Sequence, residues 1–334
     1  MRIGMVVGGP MQGVGAVAAA IEGAGYDSVW TAETGSDAFI QAAIVAAATT
    51  RVRVGTAIAL AFPRSPGIAA MTALDLDELS GGRFICGLGS QVKRVNEERF
   101  STPFEHPAPK MRDYILAMRA FIGGHFGESP EHEGRFYRVT MAPWPRMSPP
   151  LRRDIPIYLA AVNEQMQRVA GQVADGVVGH PMTSIDYIKQ VVLPNIAKGA
   201  AAAGRKASDI ELAQQVSISI SSDRAVALNE VKQQIGFYAT TRTYTPVLAL
   251  HGFDEVVPDL RAAFAEKDMA RLAALVSDDM ADTFAIYGTP DEVIEKARRF
   301  EGVVGELTLG TPWYRVDRVR MLENYQLIMS TFAR

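Results

Sequence analysis

The side chains in this 334-residue sequence that could transfer protons follow short apolar runs. Glu33 comes just after Ser-Val-Trp-Thr31, and His180 is the only one of the five histidines that follows such a run. A carboxylate and an imidazole can both donate or accept protons near neutral pH. Neither belongs to a Ser–His–Asp set, and no cluster of His, Asp and Glu has metal-ligand spacing. The sequence therefore disfavours a triad hydrolase and a metal-dependent enzyme, and Glu33 and His180 are the candidate catalytic residues.

The other residues that follow apolar runs are mostly small or carry amides. Small side chains let a flat molecule approach the backbone closely, and backbone groups can then orient it. An organic cofactor is therefore easier to place at these positions than a hydrolytic centre. The candidate cofactor-binding residues of this kind are Gly8, Leu60, Gly89, Ser90, Gln91, Lys93, Ala161, Val162, Asn163, Gly179 and His180.

The apolar runs alternate with amphipathic segments, which indicates repeated strand–helix units. Strands are predicted at about 2–7, 28–31, 52–60, 83–87, 155–160, 175–178, 210–220 and 306–309. The main helices are predicted at about 13–24, 37–50, 67–79, 184–202, 223–239, 290–300 and 316–329, with others starting near 111 and 164. Eight such pairs without hairpin turns favour parallel strands, so we predict an α/β fold. The preferred form is a (β/α)8 TIM barrel with insertions after strands 4 and 7, and an open doubly wound sheet is the alternative.

Length and composition narrow the function further. The chain is long for one domain but normal for one α/β barrel, so residues 1–334 are predicted to form a single domain. A net charge of −3 gives no reason to expect nucleic acid or membrane binding. The one cysteine, Cys86, excludes an internal disulfide, and no apolar run approaches about 18 residues. A cytoplasmic protein with a small-molecule substrate is the expectation.

Two motifs resemble those of the bacterial luciferase-like superfamily. Gly55-Thr56-Ala57-Ile58, with Arg64-Ser65-Pro66 shortly after it, is similar to that family's third strand. The segment Gly82-Arg83 to Gly87-Leu-Gly89-Ser90 is similar to its fourth strand. The resemblance extends over most of the chain. It implies a TIM barrel that uses FMN or the deazaflavin coenzyme F420.

The resemblance also implies particular contacts with the cofactor. It implies a non-prolyl cis peptide between Ala57 and Ile58, in a β-bulge behind the cofactor ring, whereas an ordinary trans strand is the plain alternative. It places the cofactor phosphate between the loops near 160–163 and 179–180. Two departures are visible: Asn163-Glu164 stands where the family often has Gly-Pro, and Val92-Lys93 where some members have a catalytic glutamate.

The leading functional prediction is a coenzyme F420-dependent oxidoreductase that transfers a hydride between the deazaflavin C5 and a small organic substrate. Its deazaflavin preference rests on the resemblance of the segment Gly89–Lys93. The alternatives are an FMN-dependent monooxygenase and a barrel that has lost catalytic activity. The resemblance implies a homodimer or higher homo-oligomer, and the alanine-rich helix at 37–50 fits either its interface or an ordinary buried barrel helix. Trp144 and Trp313, with the segment 95–110, are predicted either to roof an apolar substrate pocket or only to cover the barrel rim.

Overall fold

The computed structural model describes residues 1–334, and eight parallel strands close into a barrel. The strands are β1 (Arg2–Val7), β2 (Ser28–Thr31), β3 (Arg53–Thr56), β4 (Phe84–Gly89), β5 (Ile157–Ala160), β6 (Gly176–Gly179), β7 (Glu211–Ile220) and β8 (Glu306–Gly310). Each strand pairs with the next, and β1 closes the ring on β8 with Arg2 opposite Glu306. The predicted TIM barrel is confirmed, and the open sheet is excluded.

Helices follow the strands and cover the outside of the barrel. They are α1 (Met11–Gly23), α2 (Ala38–Ala48), α3 (Pro66–Leu79), α4 (Pro107–Gly124), α5 (Glu164–Val173), α6 (Leu193–Ala202, preceded by turns at Ile185–Tyr187 and Ile188–Val192), α7 (Arg224–Ala239) and α8 (Arg318–Thr331). Local chemistry sets their starts. Asp37 caps α2 by accepting from the Phe39 N–H, and Ser65 caps α3 with Pro66 in its first turn. None of the helices is both long and apolar enough to span a bilayer.

The third strand is interrupted where the two apolar residues Ala57 and Ile58 meet. The peptide bond between them is cis, which confirms the expectation from the sequence motif. A short strand, Ala59–Leu60, continues beyond the interruption and pairs with the end of β4. The bulge therefore lies at the carboxyl-terminal mouth of the barrel, where ligands bind in this fold.

The segment between α4 and β5 lies at the opposite end of the barrel from the mouth. Helix α4 returns the chain to the amino-terminal ends of the strands, so this segment begins there. Arg146 pairs with Asp75 and Glu78 late in α3, and Trp144 is 86% exposed. The prediction that Trp144 roofs the mouth is wrong. A hairpin of His132–Glu133 and Arg138–Val139 packs along α4 in the same segment.

The connection from β7 to β8 is the most elaborate in the chain. It contains α7, the short helices Thr245–Ala249, Val257–Ala265, Met269–Ala274 and Asp278–Phe284, the strand Ala285–Gly288 and the helix Pro290–Arg298. The sequence did not predict the strand, which pairs with the upper half of β7. It did predict the helix that follows, which starts with a capping box in which the Thr289 N–H donates to the Glu292 carboxylate at 2.8 Å.

Helix α7 does not occupy an ordinary barrel-helix position. The ring of Phe237 stacks on Tyr314 at 4.2 Å between centroids, and Tyr238 packs on His180 at 4.7 Å. Its carboxyl-terminal half therefore packs against the segments that follow β6 and β8, at the mouth. The helix Pro290–Arg298 returns the chain to β8.

Inside the barrel, side chains form layers of different character. Charged residues fill the amino-terminal end, where buried Glu306 pairs with Arg53. A middle layer of larger side chains follows and consists of Trp30, Ile85, Tyr158, Val178 and Ala213. Above it the inward-facing residues are mostly apolar, and this is the layer that meets solvent.

Candidate functional site

The floor of the barrel mouth is formed by side chains that retain partial exposure. Its members are Val6, Ala57, Ile58, Ala160, Gln215 and Gly310. The interior layer directly beneath them is almost fully buried, so the barrel is closed below and open above. Five of these six are apolar residues or glycine, and Gln215 is the one polar member. A flat, largely apolar molecule can therefore lie across this floor.

The glycines at the end of β4 let that strand approach the bulge closely. A Cβ on Gly89 would lie 2.7 Å from Cδ1 of Ile58 and 3.4 Å from the Ala160 Cβ. A Cβ on Gly87 would overlap the carbonyl oxygen of Thr56. Both glycines are buried, so packing against the third strand explains them directly.

The loop after β4 presents polar groups at the rim. Gln91 has a positive φ of 57°, and its side-chain oxygen accepts from the Val92 N–H at 3.0 Å. Buried Asn96 donates to the carbonyl oxygens of Ser90 (2.8 Å) and Val92 (3.0 Å), which fixes the loop. Ser90 is partly exposed and Gln91 exposed, so both are accessible to a ligand. The sequence analysis missed Asn96.

The hydrogen bonds of Glu33 hold the bulge in place. Its carboxylate accepts from the Leu60 N–H at 2.7 Å and from Arg64 at 2.7 and 2.9 Å. Its own N–H donates to the carbonyl oxygen of Ile58 at 3.2 Å. Arg64 also pairs with Asp37 at the start of α2. Leu60 itself is buried, so the structure places neither Leu60 nor the Glu33 carboxylate on the mouth floor.

We expect the Glu33–Arg64 pair to stabilise the fold. Glu33→Ala should lower the free energy of unfolding by about 2 kcal/mol, because it leaves the mostly buried Arg64 guanidinium without its main partner. The double variant with Arg64→Met should recover part of this loss, since no unpaired charge is then buried. Urea unfolding of the two single variants and the double variant measures the coupling. Strictly additive losses would show that the pair contributes no stability.

His180 has both ring nitrogens engaged. Nδ1 accepts from the Met182 N–H at 3.1 Å, and Nε2 lies 2.8 Å from the hydroxyl of Tyr244. Burial lowers the pKa of His180 to about 3, so the ring is neutral at physiological pH. Neither nitrogen is free to exchange a proton with a ligand directly. The sequence analysis missed Tyr244, because it lies in the long connection after β7.

The loops after β5 and β6 adjoin each other at the mouth. Ala160 is in register with Val178, which brings Val162 level with His180. Asn163 precedes α5 without a side-chain cap and is exposed, so the first N–H groups of this helix have no side-chain acceptor there. Glu164 is exposed and pairs with Arg168 at 3.0 Å along the helix.

The remaining predicted residues near these loops have different exposures. Ala161 and Gly179 are buried, and a Cβ on Gly179 would overlap the side-chain oxygen of Gln214. Gly8 is exposed, with open space around it. Gly8 therefore leaves room at the mouth, whereas the buried Ala161 and Gly179 offer a ligand no side-chain surface.

The cations near the mouth already have partners in the protein. Lys93 is 69% exposed and lies 3.8 Å from Glu97, and Arg94 pairs with Glu98 at 2.8 Å. Lys110 lies over the Phe62 ring at 4.7 Å, and Arg64 is held by Glu33. Lys93 has the longest ion pair of this group and Lys110 has none, so these two lysines are more available to an anion than Arg64 and Arg94.

An outer cleft of about 600 Å³ contains a serine–histidine contact away from the mouth floor. Ser184 Oγ lies 2.7 Å from Nε2 of His251, as in a nucleophile–base pair. However, Ser184 is buried and accepts from the Tyr187 N–H as a helix cap, and no carboxylate hydrogen-bonds to His251. The contact is therefore explained by helix capping, and the mouth is the better candidate site.

Comparison with known families agrees with this geometry. The family model of the luciferase-like monooxygenases matches residues 3–306. The chain is a member of the luciferase-like family. This luciferase-like protein is 37% identical to an uncharacterised protein of Mycobacterium tuberculosis over 86% of each chain. It is also 31% identical to a putative coenzyme F420-dependent oxidoreductase of the same organism, covering 88% of this chain and 90% of the other.

A solved structure shows the same fold as the luciferase-like protein. The coenzyme F420-dependent tetrahydromethanopterin reductase of Methanopyrus kandleri matches it with a TM-score of 0.79. The two are 22% identical, and the match covers 99% of this chain and 97% of that one. The shared barrel extends over nearly the whole of both proteins.

The mouth of the luciferase-like protein fits a tricyclic redox ring with a phosphate on its side chain. The bulge at Ala57–Ile58 and the side chain of Ala160 offer an apolar surface of partial exposure. Gln215 donates to the Ala57 carbonyl oxygen at a long 3.4 Å, and its side-chain oxygen has no protein partner. An amide in this position can meet the polar edge of a flavin or deazaflavin. The start of α5 supplies N–H donors for a phosphate.

Proposed function

We propose that this luciferase-like protein is a coenzyme F420-dependent oxidoreductase that transfers a hydride between the deazaflavin C5 and a small organic substrate. The observation that carries the proposal is the open, largely apolar floor against the bulge at Ala57–Ile58. The relative described as a putative F420-dependent oxidoreductase supports the deazaflavin over other rings. The cofactor, when bound, supplies the hydride chemistry, and the protein supplies position and surroundings.

Different residues of the mouth would contact different parts of the cofactor. Ala57, Ile58 and Ala160 would support one ring face, while Gln215 orients the polar edge. Ser90, Gln91 and Lys93 would contact the cofactor from the rim after β4, with Gly8 leaving open space. The backbones of Ala161, Val162 and Gly179, with Asn163, would surround the phosphate. Glu33 would act through the bulge that it holds, as a positioning residue.

Parallel titrations with F420 and FMN test the proposal. We expect F420 fluorescence to be quenched at micromolar protein, with FMN binding at least tenfold more weakly. The deazaflavin headgroup without phosphate and acidic tail is the third ligand, because it shows whether these two groups together contribute to binding. Tighter binding of FMN would favour the monooxygenase. If the fluorescence of neither F420 nor FMN is quenched, the protein is a barrel that has lost cofactor binding.

One observation favours the FMN-dependent monooxygenase as the second candidate. F420 carries an acidic tail, whereas FMN does not, and two of the cations near the mouth are already paired. Arg64 is enclosed by Glu33 and Asp37, and Arg94 by Glu98. Lys93 has only a loose ion pair, and Lys110 has no carboxylate partner. A tail-bearing cofactor would therefore depend on these two lysines, and the titrations above separate the two candidates.

We also propose that the protein forms a homodimer or a higher homo-oligomer. Helix α3 exposes Ile68, Met71 and Leu79, and the neighbouring α2 exposes Ile40. Large apolar side chains gathered on adjacent helices are typical of interfaces between subunits. Light scattering in solution is expected to give at least twice the chain mass of 36.2 kDa. A monomer at micromolar concentration would contradict this proposal.

A further inference from the structure

We infer that Tyr244 donates a hydrogen bond to an oxygen atom of the cofactor bound in the mouth, and that His180 fixes the direction of its proton. The inference rests on the proposed function, because it needs a cofactor in the mouth. It adds a residue from the long connection after β7, outside the strand-end loops that the sequence singled out.

The position of His180 and Tyr244 at the mouth follows from strand geometry. Side chains alternate along β6, and Val178 belongs to the interior layer with Trp30 and Tyr158. His180, two residues later, therefore extends from the inward-facing side at the mouth. Tyr244 lies against it, with ring centroids 4.4 Å apart and the hydroxyl 2.8 Å from Nε2.

The directions of the hydrogen bonds at His180 allow only one arrangement of the protons on its ring and on the Tyr244 hydroxyl. The Met182 N–H can only donate, so Nδ1 must present its lone pair. A neutral imidazole then carries its proton on Nε2 and donates it to the Tyr244 oxygen. The hydroxyl hydrogen of Tyr244 must point elsewhere, and this hydroxyl makes no other hydrogen bond within the protein.

The protonation states support this arrangement. Burial lowers the pKa of His180 to about 3, so the imidazole does not gain a second proton above that pH. Burial also raises the pKa of the Tyr244 phenol above its usual value, so the phenol keeps its proton. The neighbouring Tyr238 differs, because its ring meets His180 edge to face and the imidazole hydrogen-bonds to Tyr244 instead.

The hydroxyl proton of Tyr244, which has no acceptor in the protein, can be donated to an oxygen atom of the cofactor. His180 is level with Val162, one residue before Asn163 at the start of α5, so the pair lies beside the loops proposed to surround the phosphate. The acceptor can be a phosphate oxygen or a hydroxyl oxygen of the ribityl chain that leads to it. Both present the same chemistry to a phenol, and the two sources can be separated with FMN and riboflavin, which differ only in the phosphate.

The test compares Tyr244→Phe with the wild type by fluorescence titration. The ligand pairs are FMN with riboflavin, and F420 with its phosphate-free headgroup. We expect about tenfold weaker binding, the size of one hydrogen bond to a polar or charged oxygen. A loss confined to FMN and F420 identifies the phosphate as acceptor, and a loss for all four ligands identifies the ribityl chain. Unchanged affinity for every ligand would overturn the inference.

Matched variants separate positioning from folding. His180→Leu should weaken binding as Tyr244→Phe does, while His180→Gln should restore much of it, because its amide can donate from a similar position. Tyr238→Phe, which removes a hydroxyl from the same aromatic group, should bind normally. Thermal unfolding checks that each variant is folded. If the wild-type protein quenches the fluorescence of none of the four ligands, the proposed function is contradicted as well. If the wild type binds normally and Tyr244→Phe binds equally well, only this inference is contradicted.

Discussion

Replacing Glu306 with alanine is expected to lower the free energy of unfolding by about 3–5 kcal/mol, the usual loss when one partner is removed from a buried ion pair. The Glu306 carboxylate is fully buried at the amino-terminal end of the barrel. It accepts from the Ser28 hydroxyl at 2.5 Å and the Trp30 indole at 2.6 Å, and it pairs with Arg53. Alanine would leave all three donors without this acceptor.

The loss of stability at position 306 should depend on the charge of the side chain as well as on its size. Burial disfavours the charge on Arg53, but the carboxylates of Glu306 and Glu211 outweigh it and raise the pKa of Arg53 above its usual value. Glu306→Gln keeps the size of the side chain and should therefore cost less than alanine. Glu301→Gln, at an exposed position, is the matched control and should change stability by less than about 0.5 kcal/mol. Urea unfolding gives all three values, and a loss for alanine as small as that of the control would contradict this account.

Replacing Ala160 with phenylalanine is expected to abolish cofactor binding and leave the barrel folded. Ala160 faces the mouth, lies beside Gly89 and Ile58, and retains partial exposure. A phenylalanine there would extend into the open mouth and would occupy the surface proposed for the ring. We expect at least a hundredfold loss of affinity, because a ring-sized side chain and a ring-sized ligand cannot share that surface.

Two measurements make this result specific. Circular dichroism and urea unfolding should show a folded protein, because the added ring does not enter the buried layer beneath. Ala203→Phe introduces the same side chain at an exposed position beyond α6 and should leave F420 and FMN affinity unchanged. Normal cofactor affinity in Ala160→Phe would show that the ring binds elsewhere, and the proposed site would have to be abandoned.

Part of the candidate site was predictable because it depends on strand order. In a parallel barrel every strand ends at the same face, so residues that follow strands converge there whatever their distance in the chain. Gly8, Ser90, Asn163 and His180 follow the ends of four such strands, so this reasoning alone was enough to predict that they lie at the same face of the barrel. The break at Ala57–Ile58 was predictable from a motif, because a particular local sequence accompanies it in related proteins.

Other parts could not be predicted because they depend on which partner a side chain meets. Arg64 follows the third strand and its position in the chain would allow it to meet a ligand, but Glu33 and Asp37 neutralise it. Trp144 was expected at the mouth, but it follows a helix rather than a strand and lies at the other end. Tyr244 has no motif, and its role depends on a histidine 64 residues earlier in the chain.

The alternation of strands and helices, and hence the barrel, can be read from the order of residues alone, since the periodicity of apolar residues is a local property. The same holds for the small residues at the strand ends, which disfavour a metal site or a hydrolytic triad there. Which polar groups remain free is known only from the folded chain. Long side chains such as those of Glu33, Arg64 and His180 satisfy their hydrogen bonds with whatever the fold brings near, and contacts across the barrel leave no trace in local sequence.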